Sequence, residues 1–230
     1  VITPALIIKC LAVAVISYLL GSLNFSIIFS KTLTEEDIRK SGSGNAGATN
    51  MLRTYGKRFA AVTMIGDILK VAIAIIIAFA ILGAPMKYLF TVPQDLEEIQ
   101  RIMIYKELSG LFCVLGHIFP VFFKFKGGKG VAACTGMVII VDWRIALILF
   151  VIFVVVVAAS KWISLGSIII AVLYPVLIFA FYTNWLLALI ALLFTLMVIV
   201  AHRENIKRLA KGTENKISFS SKKKRPCEHP

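Results

Sequence analysis

Acidic residues are scarce: 12 Asp and Glu stand against 25 Lys and Arg, for a formal net charge of +13. No cluster of carboxylates is dense enough to hold magnesium or calcium. Histidine is rarer still, at three, and none pairs with a Glu at metal-ligand spacing, so nothing in the spacing points to a metal. Four cysteines (Cys10, Cys113, Cys134 and Cys227) show neither metal spacing nor a disulfide framework. The first three lie in apolar runs and read as small buried hydrophobes. There is no internal repeat, no Walker A loop and no βαβ unit. The last absence disposes of a tempting match, because Gly42, Gly44 and Gly47 satisfy G-x-G-x-x-G, a dinucleotide fingerprint only between a strand and a helix.

What is abundant is apolar sequence. Hydrophobic residues make up 59% of the 230, and the mean hydropathy is +0.90. Runs of spanning length recur, so the chain is expected to be an all-α polytopic membrane protein. The runs fall at about residues 5–29, 59–82, 102–123, 145–159, 163–182 and 185–201, with an eleven-residue segment, Val131–Val141, too short to cross straight. This predicts seven transmembrane helices, one of them short or re-entrant, in a single domain over residues 1–216, followed by a basic tail at 217–230. The first run has spanning length and no basic flank, so it reads as permanent rather than as a cleaved signal. Lys and Arg divide unequally between the sides, 19 in segments 31–58, 124–129, Lys161 and 203–225, against four at 84–107 and 142–144. The positive-inside rule then puts the N-terminus outside and the C-terminus in the cytoplasm. The basic excess belongs to a membrane face, and no nucleic-acid partner is implied. Lys222-Lys223-Lys224-Arg225 reads as a patch attracted to anionic lipid.

Three polar stretches fall on that basic face. In Phe125-Lys126-Gly127-Gly128-Lys129-Gly130, three glycines in four positions allow backbone N–H groups to turn inward around an anion, with the start of a helix near Gly130 and two lysines beside it. The alternative is a flexible turn. In Ser41–Asn50, short hydrogen-bonding side chains (Ser43, Asn45, Thr49, Asn50) suit a polar ligand, or else plain capping, and Arg53 lies one helical turn further on. In His202–Lys216, Asn205 and Arg208 share a face with His202 if the helix continues, and Gly212-Thr213 is a turn that folds Glu214 back. Asp67 and Lys70 must lie inside a span, since the apolar run after them is only twelve residues; at i and i+3 they pair, for a functional interior or as a structural lock. His117, before Pro120, is a lone histidine at a span's end, the usual place for a structural one. The chemistry suits phosphate-bearing substrates at a membrane surface. The His-x-x-x-x-Asp acyl-transfer pattern is absent, since His117 meets Phe122 and His202 meets Lys207. A small transporter or channel for phosphate compounds is the other class, but the polar residues crowd one face and nothing repeats.

Gly42-Ser43-Gly44-Asn45-Ala46-Gly47-Ala48-Thr49-Asn50, then Gly116-His117-Ile118-Phe119-Pro120 with Lys126-Gly127-Gly128-Lys129-Gly130, then His202-Arg203-Glu204-Asn205-Ile206-Lys207-Arg208 with Gly212-Thr213-Glu214, resemble the three signature motifs of the bacterial acyl-phosphate:glycerol-3-phosphate acyltransferases, the PlsY family. The resemblance runs from about Ser17 to Lys216. It implies a seven-helix enzyme of the bacterial inner membrane, its active site facing the cytoplasm, that moves a fatty acyl group from acyl phosphate to the 1-hydroxyl of sn-glycerol 3-phosphate. Neither acyl-CoA, acyl-carrier protein nor metal is implied, and no cofactor. By position, Ser43 and Arg53 match the family's essential serine and arginine, Lys126–Gly130 its phosphate loop, and His202, Asn205 and Glu214 its third motif. Many members have proline where this chain has Asn24, a departure that bears on the bend before the first loop.

Overall fold

The computed structural model describes residues 3–217, so the basic tail from Ser218, with Cys227 and the Lys222–Arg225 run, lies outside the described residues. Among the described residues every element is helical. Five apolar stretches are long enough to cross a membrane, and a sixth qualifies if one bent pair counts as a span. The chain is an integral membrane protein, with many of its largest apolar side chains (Phe150, Val155, Leu189) on the outside, where lipid is the solvent.

The first run is two helices rather than one. Helix α1 (Pro4–Ser22) is capped by Thr3, whose hydroxyl accepts from the Leu6 amide, and it stops at Leu23. Asn24 then starts α2 (Phe25–Thr34), its Oδ1 accepting from the Ile27 amide at 3.2 Å and from the Ser26 hydroxyl at 2.7 Å. The apolar run at 5–29 is therefore broken near its end, at the Asn24 that interrupts it in the sequence, because Asn is a far better N-cap than a helix interior residue. A short helix α3 (Ala48–Tyr55) leads through Gly56, at φ 91°, into α4 (Lys57–Leu82). Helix α5 (Leu96–Ile118) begins six residues before the expected Ile102. Asp95 caps it, and Glu97 and Glu98 in its first turn favour the positive end of the helix dipole, so the helix extends into a charged stretch that hydropathy alone assigns to loop. The short segment is helical as expected, α6 (Val131–Val141), followed by α7 (Trp143–Ser160), α8 (Ile163–Tyr182) and α9 (Trp185–Ala201). Helix α9 does not continue: it bends by 63° at His202 into α10 (Arg203–Ala210).

Helix α5 is the centre of the bundle, packing on α1, α4, α6 and α9. The α1–α5 approach is closest where small residues meet. A Cβ on Gly21 would lie 2.0 Å from the Cys113 carbonyl oxygen, and one on Gly116 would lie 2.2 Å from that of Tyr18. In lipid, where apolar burial drives little association, such backbone proximity supplies the packing. Besides the main core around Phe79, Met103 and Ile145, a second small core of Ile27, Ile38, Ala46 and Met51 sits beneath the loop after α2, backed by Phe29, Tyr55 and Phe123. That second core gives the 38–51 segment a defined shape of its own. The segments following α2, α5, α7 and α9 all meet at one end of the bundle, joined by bonds from Arg39 Nη1 to the Lys126 carbonyl, from Lys129 Nζ to Asn205 Oδ1 and from the Ile217 amide to the Lys161 carbonyl.

Candidate active site

The loop at 41–50 is held by Asn50. Its Oδ1 accepts from the Ser43 amide at 2.8 Å, and its Nδ2 donates to the carbonyls of Ser41 at 2.9 Å and Ile38 at 3.2 Å. Gly42, at φ 59°, leaves no room for a side chain, since a Cβ there would lie 2.3 Å from that Oδ1. Asn50 is buried and spent on its own loop, so it shapes the site rather than offering a free amide to a ligand. Ser43, by contrast, has an exposed side chain; Asn45 and Thr49 are half-exposed. Asn24 adds a strut from below, Nδ2 to the Ala46 carbonyl.

The glycine loop is only partly the anion cradle that its composition suggests. The amides of Gly127 and Gly128 donate at 3.1 Å to the carbonyls of Ile118 and His117, capping the end of α5, and are not turned toward a ligand. Their lack of side chains serves close approach. A Cβ at Gly127 would strike the His117 carbonyl at 2.0 Å, and one at Gly128 would strike the Ala46 carbonyl and the His117 ring, each at 2.3 Å. Gly130, at φ 80°, is the N-cap of α6, leaving the start of that helix and Lys129 as the electropositive parts.

Lys129 reaches the third segment. Its ammonium donates to Asn205 Oδ1, Asn205 Nδ2 donates to Glu214 Oε1 at 2.8 Å, and Glu214 Oε2 accepts from Arg208 Nε at 2.8 Å. The turn at Gly212, with φ 68°, folds Glu214 back as the sequence suggested. Burial pushes the Lys129 ammonium down to about 8; Glu214 opposes the shift, while the charges of Arg208 and Arg53 add to it. Arg53 feels the same neighbours: burial lowers its pKa, Glu214 raises it and Arg208 lowers it. Three cations thus gather around one carboxylate, a surplus of positive charge that an anionic substrate would balance. Because α9 bends, His202 does not share a helix face with Asn205 and Arg208. It is buried at the bend, with Nδ1 at 2.8 Å from the Val198 carbonyl. A carbonyl only accepts, so Nδ1 carries the proton and Nε2 keeps a lone pair.

Asp67, Lys70 and His117 stand apart from this surface. All three are buried, Lys70 Nζ lying 2.8 Å from Asp67 Oδ1, 2.8 Å from His117 Nδ1 and 3.0 Å from the carbonyls of both Gly21 and Leu23. Those carbonyls belong to the break between α1 and α2, where no helical donor exists. Lys70 is taken up by these partners, an arrangement that fits the structural-lock alternative for the Asp67–Lys70 pair, and the three residues form the floor of the site, with Asp67 Oδ2 accepting no hydrogen bond among the described residues. Sequence reading also passed over Arg39, whose side chain joins the first loop to the glycine loop. The signal available for it was Asp37, two residues away.

The family profile described as glycerol-3-phosphate acyltransferase matches residues 11–212. A glycerol-3-phosphate acyltransferase of Bradyrhizobium sp. strain BTAi1 is 41% identical over 203 residues, covering 88% of this chain and 92% of the relative. That of Mycoplasmopsis agalactiae is 39% identical, covering 91% and 94%. Among solved structures, the integral membrane glycerol 3-phosphate acyltransferase PlsY in its glycerol 3-phosphate form superposes with a TM-score of 0.77 at 33% identity, covering 91% of this chain and 96% of that one. Its lysophosphatidic acid form gives 0.74 at 32% identity, covering 91% and 95%. A match of such length across both chains leaves one conclusion: this chain belongs to the glycerol-3-phosphate acyltransferase family.

Proposed function

We propose that this chain transfers a fatty acyl group from acyl phosphate to the 1-hydroxyl of sn-glycerol 3-phosphate, giving lysophosphatidic acid and phosphate. The observation that carries the reading is the run Lys129–Asn205–Glu214–Arg208, which ties the glycine loop to the third motif and surrounds Glu214 with cations. The related PlsY structures name glycerol 3-phosphate and lysophosphatidic acid, a substrate and product of that reaction. In this reading Lys129, Arg53 and Arg208 hold phosphate groups, with Asn45, Thr49, Lys126 and the α6 N-terminus around them. The acyl chain stays in lipid between helices. The glycerol hydroxyl oxygen bonds to the acyl carbonyl carbon, the bond from that carbon to the phosphate oxygen breaks, and phosphate departs with the electron pair. The hydroxyl proton goes to a phosphate oxygen or to His202 Nε2. Ser43 hydrogen-bonds the reactants. Acyl phosphate is a mixed anhydride and already activated, so positioning and charge stabilisation suffice.

The enzyme is placed in a bacterial inner membrane as a monomer, with seven membrane helices including the short α6, the N-terminus outside and the active site in the cytoplasm. Residues 1–216 form its single domain. The charge asymmetry supports this orientation, as does the gathering of the loops after α2, α5, α7 and α9 at one end. Single cysteines placed at Lys40 and Gln94, in a background without the native cysteines, test it. An impermeant thiol reagent on intact cells should label the Gln94 site and spare the Lys40 site, and equal labelling would refute the orientation.

Lys129 gives a pH signature. The ammonium is charged below about 8 and attracts phosphate, and above that value the free enzyme loses the charge. The kcat/KM for glycerol 3-phosphate should therefore fall as pH rises through about 8, with kcat falling less because a bound dianion keeps the ammonium protonated. In Lys129→Arg that fall should vanish, since a guanidinium stays charged; a profile unchanged by the substitution would remove Lys129 from phosphate binding.

Purified protein mixed with acyl phosphate distinguishes direct attack from an acyl-serine. Wild type should release phosphate only when glycerol 3-phosphate is present, with no acyl mass on the intact protein. Ser43→Ala should lose on the order of 10²–10³ in rate, the scale of one transition-state hydrogen bond. A phosphate burst without acceptor, with an acyl group mapped to Ser43, would replace direct attack by a covalent mechanism. Absence of any acceptor-dependent phosphate release would overturn the proposed activity itself.

A further inference from the structure

Between the Ser43 loop and the Lys129 loop stands Arg39, and all three of its guanidinium nitrogens donate hydrogen bonds within the protein. Nε donates to Asp37 Oδ1 at 2.9 Å and Nη2 to Asp37 Oδ2 at 2.6 Å, a two-pronged ion pair. Nη1 donates at 3.0 Å both to the Phe123 carbonyl and to the Lys126 carbonyl, more than eighty residues away in sequence. Asp37 is itself fixed, because its carboxylate caps the short turn Ile38–Lys40 by accepting from the Arg39 amide at 3.0 Å. The hydrogen bonds from Arg39 hold the Asp37 carboxyl down at about 2, so the pair remains ionised across the working range.

The two carbonyls that Arg39 holds bracket the most strained piece of the site. Lys124 and Phe125 are consecutive non-glycine residues in the left-handed region, at φ 58° and 56°, a conformation that persists only where the surroundings impose it. On the far side, the Gly127 and Gly128 amides are bound to the end of α5. The loop is thus pinned at one end by helix α5 and at the other by Arg39. Lys129 lies three residues beyond Lys126, and Ser43 lies four residues beyond Arg39. Two further bonds transmit the position on the first-loop side: Asn50 Nδ2 to the Ile38 carbonyl, and Asn50 Oδ1 from the Ser43 amide.

We propose that Arg39 is a positioning residue for the acyl transfer: by clamping the Phe123 and Lys126 carbonyls to Asp37, it sets the separation of Ser43 from Lys129. Its proposed action runs through those carbonyls. This inference rests on the reading of Ser43 and Lys129 as substrate-handling groups. It requires a planar fork, because an ammonium cannot hold a carboxylate in two prongs and two divergent carbonyls at once.

The test compares Arg39→Lys, Arg39→Gln, Arg39→Ala and Asp37→Asn in purified protein, by titrating glycerol 3-phosphate and measuring thermal unfolding in parallel. Arg39→Lys and Arg39→Gln should lose kcat/KM by about ten- to a hundred-fold, the scale of a misplaced reacting group, and Lys should serve no better than Gln. Asp37→Asn, which keeps the carbonyl tethers and weakens only their anchor, should lose less. Added guanidinium should restore part of the activity of Arg39→Ala and none of that of Lys129→Gln. Wild-type kinetics in Arg39→Gln would overturn the proposal. So would recovery in Arg39→Lys, which would mean that only the charge matters, or lowered unfolding temperatures with unchanged kinetics, which would mean a purely structural role. If Arg39→Gln does not fold, unaltered kinetics in Asp37→Asn would overturn it equally. Ser43→Ala and Lys129→Gln are the separate controls: activity retained in both would sink the site reading, whatever Arg39 does.

Discussion

One buried ammonium holds the active end of this protein together. Lys70 Nζ meets a carboxylate, an imidazole and two backbone carbonyls within 3.0 Å. In lipid, a helix cannot simply stop, because every carbonyl at its end needs a donor. The break after α1 exposes Gly21 and Leu23, and Lys70 from α4 supplies that donor. Asp67 balances the charge, and His117 carries the arrangement to α5, whose last carbonyls receive the Gly127 and Gly128 amides. Breaking such a pair by removing one partner costs about 3–5 kcal/mol, because the survivor is left charged and buried. The first loop and the glycine loop are both built on this floor.

Above the floor, rigidity and reactivity are divided between residues. Asn50, Asn24, Gly127 and Gly128 are consumed by the backbone, and they fix where the loops run. In the proposed reaction, Ser43, Arg53, Lys129 and His202 Nε2 are the groups left to meet a substrate. Asn205 and Glu214 lie between the two groups. Their hydrogen bonds orient Lys129 and Arg208 while keeping the local charge positive. Oriented donors in a partly dry site stabilise developing charge without reorganising, which is what the proposed acyl transfer demands.

The long apolar runs were legible because a membrane imposes length and hydropathy on them; α8 and α9 fall where the runs do, at Ile163–Tyr182 and Trp185–Ala201. Where helix ends depart from the runs, local chemistry decided. Asn24 caps a new helix inside an apolar run, and Asp95 starts one outside it. The Asp67–Lys70 pairing was readable from i, i+3 spacing, but its role was not: only the spatial meeting with Gly21, Leu23 and His117 shows that these charges serve the backbone. The glycine loop shows the same limit, since its composition fits both an anion cradle and close backbone approach. Composition announces that glycine is needed, and three-dimensional proximity tells whether the need is a turned amide or a close approach. The bend at His202 left no signature in the sequence, since Ala201-His202-Arg203 contains neither Pro nor Gly.

Substitution of Lys70 by Met, alone and together with Asp67→Asn, measures most directly whether the buried cluster organises the site. Thermal unfolding of the purified protein should shift down sharply in Lys70→Met, with KM for glycerol 3-phosphate raised, because the α1–α2 break and His117 lose their common donor. Adding Asp67→Asn should recover much of the unfolding temperature by removing the stranded carboxylate, while leaving KM raised because the Gly21 and Leu23 carbonyls still lack a partner. Wild-type KM in both variants would contradict the account, since the loops would then hold their places without the cluster beneath them.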